Sequence, residues 1–306
     1  MSNLILQYPV HTISSRQLLP ADTELSQHVI DELIFSNRSS VYEQHPILRY
    51  GTVRQDLLNF LGQHPYNAIF HDREKVDRIF SAMKKVNMTV PLLESLHYFK
   101  QNDPYTYRHL IVVFALSTLL AEDLIPDYDR QMQSIAAGPF HDIGKTCVPL
   151  NVLKKVTPLT RLEQKMLKHH TAAGYVLSSF YLRNSRDITA IVARDHHERK
   201  DGSGYPLGIC IDELIVEIVS VCDVYDALLS PRPYRPISFD NRTALEEITA
   251  MAEKNQIRWE IVSALVAHNR KSSSDAESRV SLKKRGIPPP LNVYGKVSED
   301  DQDSNE

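Results

Sequence analysis

Cysteine is scarce in this chain. Cys147, Cys210 and Cys222 are odd in number and no two stand in a CxxC spacing. That argues against a disulfide framework or a cysteine zinc site and fits a reducing compartment. A basic excess is missing too. The formal net charge of −3 speaks against a polymeric nucleic acid as partner. Long apolar runs are absent: LIVVFALSTLLA (110–121) stops at Glu122-Asp123, too short to span a bilayer but suited to a buried core helix. The start, MSNLILQYPVHT, has neither the basic opening nor the long apolar centre of a signal peptide. A cytoplasmic location without membrane insertion is therefore expected. No Gly-rich phosphate loop and no internal repeat is found.

What is there reads as helix. Leu25, Val29, Ile30 and Leu33 follow helical spacing, as do Val76, Ile79, Phe80 and Met83. Thr160 and Glu163 form a capping-box pattern that opens a helix running to about Tyr181, and Asp240 is placed to cap TALEEITAMAEK. Residues 106–121 are apolar nearly all round, as in the central helix of a bundle, and short strands are allowed in the first hundred residues. The polar stretch Lys100 to Pro104 marks a boundary. We divide the chain into a mostly helical N-terminal module (1–98) with a sensor, dimerisation or packing role, a helical domain (99–270) and a tail (271–306). The tail has few large apolar residues and is expected to be disordered. The six histidines of the first module form no ligand spacing, and its His71-Asp72 pair reads as surface polarity.

From 109 to 226 the ligand-type residues become a pattern. His109 opens the apolar helix, His141-Asp142 lies in GPFHDIGK with Lys145 three residues on, His170 falls within a helix, His196-His197 precede the loop Asp201 to Pro206, and Asp223 lies in SVCDVYDALL. Five imidazoles and two carboxylates without a thiolate suit Mn, Fe or Zn. They exceed what one tetrahedral ion needs, and a carboxylate such as Asp142 can bridge two cations. Two ions about 3.5–4 Å apart would support in-line displacement at phosphorus.

These elements resemble the HD-GYP domains of the HD superfamily of metal-dependent phosphohydrolases. The likeness rests on DPYTYRH (103–109), HDIGK (141–145), LTRLEQKMLKHHTAAG (159–174), HHERKDGSGYP (196–206), DVYDAL (223–228) and RPYR (232–235). It implies a mainly α HD-type bundle of five to seven helices and hydrolysis of cyclic di-GMP to pGpG, then GMP. It also implies two divalent metal ions, Fe or Mn with Zn as the further candidate. The metal ligands would be His109, His141, Asp142, His170, His196, His197 and Asp223, with Asp142 bridging and catalytic. Lys145 would face a substrate phosphate and share in catalysis, with Tyr205, Arg232 and Arg235 as further substrate contacts. Gly204, Tyr205 and Pro206 would also meet GGDEF-domain partner proteins, and a homodimer is a further expected assembly. Glu198 is expected to orient a histidine.

Two departures stand out. Tyr105 occupies the position where members with three metals carry glutamate, so two ions are expected. Gly138-Pro139 breaks what is usually a continuous apolar helix before His141, so the His141-Asp142 geometry is expected to differ from that of the average member. The alternative reading is a metal-containing receptor or adaptor that binds cyclic di-GMP or a GGDEF protein with little turnover.

Overall fold

The structure is a computed structural model and describes residues 4–231 and 237–270, together with Pro289 and Ser298. Arg232, Arg235 and nearly all of the tail lie outside the described residues, as does the expectation that the tail is disordered.

The chain is mainly helical. Its helices in order are α1 (Gln27–Ser36), α2 (Val53–Leu61), α3 (Arg73–Met83), α4 (Val90–Asn102), α5 (Pro104–Leu124), α6 (Tyr128–Ala137) and α7 (Leu150–Leu153). After these come α8 (Arg161–Lys168), α9 (His170–Leu182), α10 (Ile188–Asp195), α11 (Leu214–Leu229), α12 (Asn241–Glu253) and α13 (Trp259–Asn269). The described strands fall in the first hundred residues, in two small antiparallel pairs. One joins β1 (Val10–His11) to β2 (Gln17–Leu19), the other β3 (Gln44–Pro46) to β4 (Asn87–Thr89).

Local chemistry sets the helix starts. Asp103 ends α4 and caps α5, its carboxylate accepting from the Thr106 backbone (3.3 Å) and hydroxyl (2.6 Å), while Pro104 takes the first helical position, where no N–H is needed. The Thr160–Glu163 capping box is present at α8, and Asp240 caps α12. The helix expected to run unbroken to Tyr181 is two segments, α8 and α9, that meet at His169. Asp72 of the first module caps α3.

Helix α5 is buried from Thr106 to Ala121 except at Arg108. It packs against α4, α6 and α11, with α2, α3 and α13 also touching it. One apolar core runs from Ile47 through the bundle to Val266, so residues on both sides of position 98 share it. A smaller core joins Leu6, Val10, Ile30 and Leu33 to Ala173, Val176 and Phe180 of α9. Burial of these side chains, at roughly 25 cal/mol per Å², is what holds α5, α9, α10 and α11 in register around the polar cluster described next. Among the described residues no helix is long and apolar enough to cross a membrane.

Candidate metal centre

Four buried imidazoles are anchored in the same sense. His141 Nδ1 lies 2.7 Å from the Gly138 carbonyl, His170 Nδ1 is 2.6 Å from that of Leu167, and His196 Nδ1 is 3.0 Å from that of Val192. His109 Nδ1 lies 2.6 Å from Asp226 Oδ2. A carbonyl or carboxylate oxygen can only accept, so Nδ1–H is the donor in each case and Nε2 is left with its lone pair. Those Nε2 atoms converge. His109 and His141 face each other at 3.2 Å, and His170 and His196 at 3.3 Å.

The two carboxylates lie across the gap between these pairs. Asp142 turns Oδ2 toward His141 (3.4 Å) and His109 (3.6 Å), and Oδ1 toward His170 (3.2 Å) and His196 (3.7 Å). Asp223 turns Oδ1 toward His109 (3.0 Å) and Oδ2 toward His197 Nδ1 (3.9 Å). The side chains thus form two ligand groups: Asp142, His170, His196 and His197, and His109, His141 and Asp223. Asp142 Oδ1 is buried without a hydrogen-bond partner. Facing lone pairs and an orphaned carboxylate oxygen repel one another. A cation among them turns that repulsion into attraction, so the residues fit a metal.

The protonation states agree except at His141. Burial alone would raise Asp142, but the Lys145 ammonium and His141 hold it well below the ordinary carboxylate range. Asp223 is likewise held low against burial, by His109 and His197. Burial brings His196 down to about 4, and burial with its neighbour His196 pushes His197 well down. Burial opposes a charge on His141, but Asp142 raises it on balance. Lys145 Nζ is paired with Asp142 Oδ2.

Two glycines make this packing possible. A Cβ at Gly144 would lie 1.9 Å from the His170 carbonyl oxygen, and one at Gly138 would lie 2.3 Å from Ser117 Oγ of α5. The Gly138-Pro139 interruption is a single 3-10 turn pressed against α5, and its Gly138 carbonyl is the acceptor that orients His141. The loop after His197 is tied equally closely. Gly202 takes a positive φ of 78°, whereas Gly204 is needed for close approach, since a Cβ there would lie 2.4 Å from both Glu198 Cα and the His197 oxygen. Tyr205 stacks on His197, with centroids 4.6 Å apart and planes at 22°.

Comparison with known proteins decides the family. A family model described as HD domain matches residues 85–257, more than half of the chain. The chain belongs to the HD-domain family. A cyclic di-GMP phosphodiesterase of Pseudomonas aeruginosa is 36% identical over 192 residues, covering 60% of this chain and 43% of that protein. The cyclic di-GMP phosphodiesterase response regulator of Xanthomonas campestris is 46% identical over 101 residues, covering 32% of this chain and 27% of its own. A 3'3'-cGAMP-specific phosphodiesterase of Vibrio cholerae is 38% identical over 135 residues, covering 43% and 29%. The chain thus spans less than half the length of the curated relatives it matches.

Within the HD domain the seven expected ligands are brought together, Lys145 stands beside them, and Tyr205 lies one stacking distance from His197. Gly204, Tyr205 and Pro206 are half-buried, and Tyr105 is exposed and outside both ligand groups. Glu198 does not orient a histidine through any described contact. It is buried, and its carboxylate accepts from the backbone of Leu207 (2.5 Å), Gly208 (3.1 Å) and Ile209 (3.2 Å), clamping the loop from inside. Asp226 was missed. Its signal was its place three residues after Asp223 on an apolar helix, one turn along the same face. A cavity of about 480 Å³ lined by Arg130, Thr189 and Ile191 contains none of the ligands.

Proposed function

We propose that this HD-domain chain is a metal-dependent phosphodiesterase that hydrolyses cyclic di-GMP to pGpG, with GMP as a further product. The carrying observation is that the two oxygens of Asp142 face two separate sets of histidines. That arrangement supports two divalent ions, Fe or Mn ahead of Zn, held by His109, His141 and Asp223 on one side and by His170, His196 and His197 on the other, with Asp142 shared. Bound there, the ions would supply an acidified water and neutralise charge building at phosphorus. The chain's own part is to hold the ligands oriented before substrate arrives, with Asp142, Asp223, His196 and His197 kept deprotonated, which avoids reorganisation during reaction. Lys145, the least buried charge beside Asp142, is proposed to meet a phosphate oxygen. Tyr205 offers a flat face for a base. Arg232 and Arg235 are proposed as phosphate contacts from the sequence, and Gly204, Tyr205 and Pro206 as the surface for a GGDEF-domain partner. Residues 99–270 are taken as the catalytic unit. The core shared across position 98 supports a packing role for the first module.

The relatives named for cyclic di-GMP and for 3'3'-cGAMP make the choice of cyclic dinucleotide the point to test. Purified protein should contain about two ions of Fe, Mn or Zn per chain and release pGpG from cyclic di-GMP faster than it opens 3'3'-cGAMP, followed by chromatography. Asp142→Ala should lose both metal and turnover. Metal without turnover of either dinucleotide, but with tight cyclic di-GMP binding, would favour a receptor instead.

A further inference from the structure

Three of the four anchored histidines take their orientation from their own segment, through a carbonyl three or four residues earlier in the chain. His109 does not. Its Nδ1–H donates to Asp226 of α11, and Asp226, fully buried, is itself held by the end of its own helix and by residues of two other elements. The Ser230 hydroxyl donates to Asp226 Oδ2 (2.9 Å), and the Arg108 guanidinium approaches Oδ1 at 3.7 Å. The Tyr66 hydroxyl donates to Oδ1. Tyr66 is fully buried, and Arg108 lies over its ring, 5.2 Å from the centroid. It belongs to the 3-10 turn Tyr66–Ala68, ahead of the segment that matches the HD-domain model.

We infer that Tyr66 is a positioning residue of the metal centre: through Asp226 it fixes His109 in the tautomer and ring orientation that present Nε2 to the ion. The inference rests on the reading that the seven-residue cluster holds metal. A buried carboxylate stays ionised and in place only if its oxygens are bonded. Burial and the Asp226 charge keep the Tyr66 phenol protonated, so it remains a donor. An imidazole backed by a carboxylate is a more basic ligand than one backed by a carbonyl, and losing such a partner typically costs about 10–100-fold in metal affinity. The centre therefore extends beyond the HD domain into the first module, which contributes one hydrogen bond two steps from the ion.

The experiment uses the full chain, stripped of metal and titrated with Co2+ while the visible spectrum is followed. Tyr66→Phe keeps the ring and removes only the donor. It should weaken one Co2+ binding step by about 10-fold and leave the other unchanged. Asp226→Asn should weaken the same step by about 10–100-fold, and the double variant should be no worse than Asp226→Asn alone. Tyr107→Phe is the control, because that buried tyrosine of α5 bonds Asp56 instead (2.7 Å). It should bind Co2+ like the unmutated chain. Long-range proton–nitrogen NMR of the unmutated metal-free chain should show His109 protonated at Nδ1, a state that Asp226→Asn should redistribute. Unchanged Co2+ affinity in Tyr66→Phe, whatever Asp226→Asn does, or His109 protonated at Nε2, overturns the positioning role while leaving the metal reading intact. An unmutated chain that binds no Co2+ overturns the metal reading and this inference with it.

Discussion

Tyr205 lies almost parallel to His197, ring centre to ring centre 4.6 Å, with the Lys168 ammonium 5.0 Å from the tyrosine centroid. A loop side chain thus rests on one of the imidazoles proposed to hold metal. The loop and the centre are one mechanical unit, because His197 is the least buried of the five histidines and has no backbone carbonyl anchor among its described contacts. Tyr205→Ala should loosen His197 and lower metal affinity as well as turnover, each by about 10-fold. Tyr205→Phe should retain the affinity, since the stacked face survives. Metal titration of both variants separates the two roles; equal losses would assign the effect to the hydroxyl.

Gly204 and Glu198 hold that loop from opposite directions. Gly204→Ala places a methyl group 2.4 Å from backbone atoms that cannot move aside, so it should cost about 1–3 kcal/mol and displace Tyr205. Glu198→Ala strips three backbone N–H groups of their acceptor. It should expose residues 200–210 to limited proteolysis while helix content by circular dichroism stays the same. Resistance to protease equal to that of the unmutated chain would mean another acceptor takes over.

Lys145 is paired with Asp142 but is not a ligand. Lys145→Ala should therefore keep the metal content and reduce kcat/KM by about 10–100-fold, the scale of losing one charge-assisted contact to a phosphate. Loss of metal in this variant would assign Lys145 to holding Asp142 instead of substrate.

His169 gives the metal-free chain a pH dependence. Burial, with the neighbouring His170, brings its pKa down to about 4 from the ordinary 6.5, and its Nε2 has no partner. The unfolded chain therefore binds the proton first as pH falls. Stability should be full above pH 6.5, decline between 6.5 and 4, and lose nothing more from this group below 4. The His169 share is on the order of 3 kcal/mol, with His196 acting in the same direction. His169→Phe, which keeps a ring beside Tyr8, should flatten the slope in urea unfolding at pH 7 and pH 5 in chelator. An unaltered slope would place the proton uptake elsewhere.

The sequence by itself marked most of the helices and the candidate ligands. Apolar periodicity and caps such as Thr160 and Asp240 are local, so the starts of α8 and α12 could be read directly. Ligand chemistry admits so few residue types that seven positions from His109 to Asp223 stood out before their geometry was known. The tertiary structure decided everything that joins distant segments. It sorted the ligands into two groups on either side of Asp142, turned the Gly138-Pro139 break into the anchor of His141, and gave Glu198 to the loop. It also seated Tyr66 against Asp226, 160 residues away in sequence. No spacing rule marks that tyrosine among the chain's 14. A hydrogen bond between two buried groups exists only because the core of α2, α5 and α11 closes around it.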